Sequence, residues 1–285
     1  MEDRRAPHTL RRLFQLWRCY AILDLTWIAR GPQLFVTYFL SDLLLNVALV
    51  SGTLLLAERF EGIGPWSKMQ VVFLLGYGTT VNGLAEMFFG WNVLMISRRI
   101  GRGQFDHLLI QPVPLWMSLV TEGFLPFSGS TVVLTGGALG GWALLRLHLA
   151  ITPGWIVLLL VNLVASVTIM LMFSYIWGSV AFWAPRGAEE ISSAALNLLN
   201  QLRSFPLDGV RAVLLGGLMS ILPVGFIAWY PCRALLGLDH STLGLVATPL
   251  GAVVAIGLTL IFWRRGLQQY GRTGSQRYLS FGHRS

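Results

Sequence analysis

The sequence predicts an all-α membrane protein with six transmembrane helices, and three observations predict it. First, only 12% of the 285 residues are charged and 54% are hydrophobic, with a mean hydropathy of +0.63. Soluble domains carry roughly 25% charged residues, and a water-soluble fold of this length could not hide so much apolar surface. Second, six stretches reach the about 20 apolar residues that a helix needs to cross the hydrocarbon core. Third, the basic residues behind the net charge of +8 lie in short segments between those stretches. That pattern fits anionic lipid and the positive-inside rule, and no basic patch on a polar domain points to nucleic acid.

Taken in order, the chain reads as one transmembrane domain over residues 1–285: an N-terminus (1–33), a bundle (34–263) and a tail (264–285). Gln15, Arg18 and Asp24 break the apolar character of the first thirty residues, so no cleavable signal peptide is expected. Within them Thr9–Ile28 is amphipathic. Leu10, Leu13, Phe14, Trp17, Ala21, Leu25 and Ile28 share one face, and Arg11, Arg12, Gln15 and Arg18 the other. Such a helix lies in the membrane interface. The six spans follow as Leu34–Ala57, Gln70–Ile96, Leu115–Leu145, Gly154–Ala184, Val210–Tyr230 and Leu243–Trp263. The third and fourth exceed one crossing, which calls for tilt, a kink at Pro126, or extension beyond the bilayer. Trp66, Trp155, Trp229 and Trp263 fall at span ends, where tryptophans anchor helices to the interface.

Between spans four and five, Ala188–Phe205 repeats Ile191, Ala195, Leu198, Leu202 and Phe205 at helical spacing. This segment lies on the membrane, packs on another chain, or starts the fifth span. In the third span, Gly136-Gly137 and Gly140-Gly141 read as sites of close helix packing. For orientation, a cytoplasmic N-terminus leaves only Arg59, Lys68, Arg146 and Arg233 outside, of 21 Lys and Arg residues. Both termini are therefore expected in the cytoplasm.

Catalytic chemistry is not written in this chain. It has no GxxxxGK[ST] loop for phosphate and no GxSxG elbow. Its two cysteines, Cys19 and Cys232, fall on opposite sides of the expected topology, and its five histidines are scattered, so no metal site is expected. The intramembrane polar residues are Asp42, Asn46, Asn82, Glu86 and Glu122. Asp42 and Asn46 share a helix face, as do Asn82 and Glu86. Ionised groups at that depth are expensive and seldom face lipid. They either hydrogen-bond helices together or line a transport path.

The most informative segment is the second cytoplasmic loop, 97–114, with Arg98, Arg99, Arg102, Gly103, Phe105, Asp106, His107, Leu108, Leu109, Pro112 and Pro114. It is either a positive-inside hinge or a short helix with a partner. In the second case Phe105, Leu108 and Leu109 are apolar knobs and Pro112 stops the helix.

The loop resembles the one after the second span in bacterial type-2 ABC exporter permeases, with the pattern I-R-x-G-x-[LF]-D-x-x-L-x-[RQ]-P. Ile100, Arg102, Gly103, Phe105, Asp106, Leu109, Gln111 and Pro112 match it, with Gly101 inserted between the first two. Other landmarks agree in order. Phe60 to Trp66 resembles the family's external turn, and Phe205-Pro206-Leu207, Pro223 and Trp229-Tyr230-Pro231 resemble its pattern around span five.

The resemblance implies a permease of an ATP-driven exporter in the bacterial plasma (inner) membrane. It implies a partner ATPase dimer that binds ATP and Mg, and a second permease copy or paralogue. Arg98, Arg99, Arg102, Gly103, Phe105, Asp106, His107, Leu108, Leu109 and Pro112 would then form the coupling helix, and Tyr230–Ser241 a re-entrant external segment. Two other readings stand beside it: a non-transporting scaffold or immunity-type protein, and a membrane enzyme using acids such as Asp42 and Glu86.

Overall fold

The computed structural model describes residues 6–59, 62–63, 65–185, 187–203, 205–208, 216, 222–239 and 241–274. Helix α1 is Ala6–Arg30 and α2 is Pro32–Arg59. A short hairpin, β1 (Gly62–Ile63) with β2 (Trp66–Ser67), leads into α3 (Lys68–Gly101). Then come α4 (Phe105–Leu109), α5 (Leu115–Thr121), α6 (Ser130–Leu147) and α7 (Pro153–Ser179), the last ending in a 3-10 turn, Val180–Phe182. Helix α8 is Ala188–Leu202. After a π-helical turn at Gly225–Trp229 come α9 (Tyr230–Leu235) and α10 (Thr242–Thr273). Among the described residues, α3, α6, α7 with its 3-10 turn, and α10 are long and apolar enough to cross a membrane.

The first half of α7 packs differently from a helix of a soluble bundle. On α7 the inward positions are Asn162, Ala165, Ser166 and Ile169, while Val157, Leu160 and Val164 stand outside. Lipid tails solvate Val and Leu as well as a protein core does, so small and polar residues take the helix contacts. The clearest contact is α3 against α6. A Cβ added at Gly76 would come within 3.0 Å of the Gly140 backbone, and one at Gly136 within 3.0 Å of the Thr80 backbone. Gly83 meets the backbone of Val132 and Val133 in the same way, whereas Gly137 and Gly141 face open space. The expected close packing thus uses one glycine of each pair.

Of the three ways to fit the long third crossing, the structure takes the interruption at Pro126, and takes it further than a kink: the helix stops and restarts. Helix α5 stops at Thr121, and α6 starts only at Ser130. Gly123 takes a left-handed φ of 92° and Pro126 follows, so the helical ladder cannot continue. The Leu125 amide instead donates to the Met87 carbonyl at 2.8 Å. Two residues on, Phe89 of α3 is non-helical (φ −137°, ψ 15°), a kink beside the inserted bond.

The return of the chain after α7 comes earlier than the hydropathy predicts. Glu189 sits beside Arg98 and Arg102 at the end of α3, at 3.5 and 3.2 Å. Further on, Arg203 Nη1 donates to the Gly78 carbonyl, and Asp208 accepts from Trp66 Nε1 just before α3 begins. The chain from Glu189 to Asp208 therefore runs back along α3, before the expected fifth span. That span, Val210–Tyr230, lies largely outside the described residues. Its described end holds the π-helical turn, with Ala228 against Gly78 and Phe226 against Gly251 of α10.

Two further expectations change. The buried face of α8 is Ala188, Ser192, Leu196 and Leu199, while Ile191, Leu198 and Phe205 are exposed. The span-end tryptophans turn inward: Trp155 Nε1 donates to the Leu235 carbonyl at 2.9 Å and Trp263 Nε1 to that of Tyr175 at 3.0 Å. The indole N–H is satisfied by protein and not by headgroups. Finally, α10 continues ten residues past Trp263 as ordered helix to Thr273, so the first part of the expected tail belongs to the fold.

Candidate functional site

The predicted loop is built on the last turn of α3. Gly101 packs against the Pro185 carbonyl, and Gly103 takes a left-handed φ of 67° that turns the chain into α4. The Gln104 amide closes the turn on the Arg99 carbonyl at 2.8 Å. Phe105 is fully buried, with the rings of Phe182, Trp263 and Tyr270 at 5.6, 6.0 and 5.6 Å. Beside it the Tyr270 hydroxyl donates to Asp106 Oδ1 at 2.6 Å.

This cage corrects the picture of Phe105 and Leu108 as outward knobs, because both are buried in this chain. What α4 presents is Leu109 and, just past its end, Ile110, 46% and 78% exposed, followed by exposed Gln111 and Pro112. His107 is also exposed. Arg12 of α1 donates to the Pro112 carbonyl at 2.6 Å, which ties the loop to the N-terminal helix.

The three arginines have different duties. Arg99 Nη1 pairs with Glu122 Oε2 at 2.7 Å and donates to Asn92 Oδ1 at 3.0 Å. Asn92, fully buried, gives its amide to the carbonyls of Leu119 and Glu122 at 2.6 and 3.0 Å. Arg98 and Arg102 share Glu189. Tyr20 of α1 lies close by. Burial raises its phenol above the usual range, the Glu122 charge adds to that, and so the hydroxyl keeps its proton. Asn92 escaped the sequence reading, although it stands seven residues before Arg99 and so on the same face of α3.

Helix α1 braces this end. Leu13, Trp17, Tyr20 and Asp24 recur at helical spacing on its inner side. Asp24, 4% exposed, accepts from the Phe127 and Ser128 amides at 2.9 and 3.1 Å and from the Ser128 hydroxyl. It thereby satisfies two backbone amides in the break between α5 and α6. Leu10, Phe14 and Leu25 stay exposed.

The five intramembrane candidates divide. Asn82 Nδ2 donates to Glu86 Oε1 at 2.7 Å. Asp42 and Arg203 both lie near enough for their charges to act on Glu86. Arg203, expected in a loop, thus joins Asp42, Asn82 and Glu86 in the bundle. Glu122 stands apart with Arg99, and the side chain of Asn46 is not among those described. At the Lys68 end, a knot the sequence did not suggest gathers on Asp208. It accepts from Trp66 Nε1, from Trp229 Nε1 at 2.7 Å and from Arg233, whose guanidinium lies 4.9 Å over the Trp229 ring. Trp66 and Asp208 alone are 142 residues apart, so no spacing rule could find them.

Against known proteins, the model of one family, described as ABC-2 family transporter protein, matches residues 43–274. No curated protein and no solved structure matches the chain.

Proposed function

This chain belongs to the ABC-2 family of transporter proteins and is a multi-pass membrane permease component, and on that premise we propose that it is the permease half of an ATP-driven exporter. It works as a homodimer or with a paralogous permease, beside a cytosolic ATPase dimer that binds ATP and Mg. The membrane is the bacterial inner membrane, with both termini cytoplasmic. The six crossings are α2, α3, the α5–α6 pair, α7, the α8 segment up to Asp208, and α10, with a re-entrant external segment before α10. Asp42, Asn82, Glu86 and Arg203 lie along the translocation path.

The observation that carries this reading is the construction of α4. Its tip, Leu109 to Pro112, is exposed at the basic end, while its root is held by Phe105 and Asp106 against α10 and the turn after α7. A push by the ATPase on the tip therefore reaches α7 and α10 as well as α3. Deep burial makes the root stiff, because a caged aromatic has no other low-energy place to go.

The test is recovery of the ATPase with this chain in mild detergent. Leu109→Asp with Ile110→Asp is expected to abolish copurification while leaving thermal unfolding of the permease unchanged. Undiminished copurification of that variant would remove the tip from the coupling role. Absence of any ATPase with the native chain would overturn the exporter reading itself.

A further inference from the structure

Two cavities meet at the Arg99–Glu122 ion pair. One, of about 550 Å³, lies between α1 and the break in the third crossing, walled by Tyr20, Leu23, Trp27, Phe124 and Leu125. The other, of about 330 Å³, opens at the basic end between Arg102, Gln104, His107 and Gln111. Arg99 and Glu122 line both, so an apolar and a polar cavity flank one ion pair and together make up an amphipathic cleft. We propose that this cleft is a binding site for an anionic phospholipid. The headgroup phosphate lies among Arg99, Arg102 and His107, and an acyl chain lies along Leu23, Trp27 and Phe124. The site does not depend on the exporter reading and would hold for any membrane role of the chain.

Three features select this occupant. The first is the split in chemistry. Each half is of the size that holds a small ligand or a chain segment, one apolar and one hydrogen-bonding, as the two parts of a phospholipid require. The second is charge. Arg98, Arg99 and Arg102 face Glu122 and Glu189, while Asp106 is engaged by Tyr270. A neutral hydroxyl leaves the Asp106 charge in place, so this cluster is balanced, and the positive excess comes from α1 with exposed Arg11, Arg12 and Arg18. A phosphate can share the Arg99 fork with Glu122, since a guanidinium has five donors.

The third feature is position. Helix α1 keeps Leu10, Phe14 and Leu25 exposed beside its arginines, the pattern of a helix at the headgroup boundary. Its wall of the cleft is fixed, because Asp24 pins it to the Phe127–Ser128 backbone. Fully buried Asn92 fixes Arg99 from the other side. A free phosphate ion would use only the polar half.

The experiment places the full chain in phosphatidylcholine nanodiscs with a small fraction of phosphatidylglycerol bearing a photoreactive acyl chain, and maps the crosslinks by mass spectrometry. Labelling is expected on 20–27 and on Phe124 and Leu125, displaced by unlabelled phosphatidylglycerol. Arg102→Gln with His107→Gln is expected to lower it about fivefold, as one lost basic contact to an anionic lipid would. Leu23→Trp, which fills the apolar half and leaves every charge in place, is expected to lower it as well. A phosphatidylcholine probe that labels equally, inorganic phosphate that displaces the label, or labelling spread over the outer faces of α7 and α10 and unchanged in both variants would each overturn the proposal.

Discussion

Helix α3 is held at its two ends in opposite ways. Over its first half, Gly76, Thr80 and Gly83 bring its backbone into direct contact with the backbone of α6. At its last turn, Gly101 meets one backbone carbonyl, that of Pro185, but most contacts are made by side chains: Arg99 to Glu122, Arg98 and Arg102 to Glu189, and beyond them Phe105 in its aromatic cage. A backbone contact has one register, because a shift of one residue puts a side chain where only glycine fits. Hydrogen bonds and ring edges can be exchanged for others at moderate cost. The difference teaches where this helix can move: the glycine half is a fixed support, and the arginine half is the part able to take a second arrangement.

The largest expected effect breaks the support. Gly76→Leu or Gly136→Leu drives a side chain into a neighbouring backbone, and the loss is about 3 kcal/mol or more, at the upper end of overpacking penalties. Gly137→Leu, on the open side of the same helix, should stay within ~0.5 kcal/mol. Thermal unfolding in detergent, followed by size-exclusion fluorescence, separates the two. Equal behaviour of Gly136→Leu and Gly137→Leu would end the idea of a backbone contact.

Next comes the cage. Phe105→Ala should cost about 3–4 kcal/mol as a buried aromatic truncation, measured as a fall in the unfolding midpoint. Full stability of this variant would mean that Phe105 is free to serve a partner after all.

Smaller effects sharpen the picture of the exchangeable end. Arg99→Gln or Glu122→Gln should each cost about 1–3 kcal/mol, because the partner left behind is poorly solvated. The double variant should cost less than the two together, since the pair is coupled. Strict additivity in this cycle would show that the pair is not interacting. Tyr270→Phe removes one hydrogen bond to a carboxylate and should cost about 1.5 kcal/mol with the fold intact. Arg102→Gln loses an exposed ion pair and should cost under about 1 kcal/mol. Raising the salt should shrink that last difference but not the one at Phe105.

The exchange of roles between neighbouring residues shows how far the sequence can be read. Hydropathy finds α2, α3, α7 and α10 because the free energy of moving a helix into lipid is a sum over its own residues. The glycines of α6 were legible as packing sites, since nothing else recommends glycine in a span. Arg102, Gly103, Phe105 and Asp106 were legible as a set through their family resemblance. Yet nothing in that pattern says whether Phe105 points at a partner or at Tyr270, which is 165 positions away in the chain. Arg203 read as a loop cation because a lone arginine costs too much in lipid. It lies in the bundle because Gly78 supplies a carbonyl and Glu86 a charge, and neither can be known from its own surroundings in sequence.

By itself, then, the sequence determined the solvent of this protein, most of its long helices and the strongly basic character of one end. These follow from composition and from local sums of transfer energy. The tertiary structure alone decided which of tilt, kink or extension the third crossing takes, that the chain returns along α3 by Asp208, and that Asp24, Asn92 and Trp263 turn inward. The physical reason is common to all of them. Inside a bilayer a buried polar group or a freed backbone amide must find a partner in the protein, and that partner is set by which helices meet, not by which residues are adjacent in the chain.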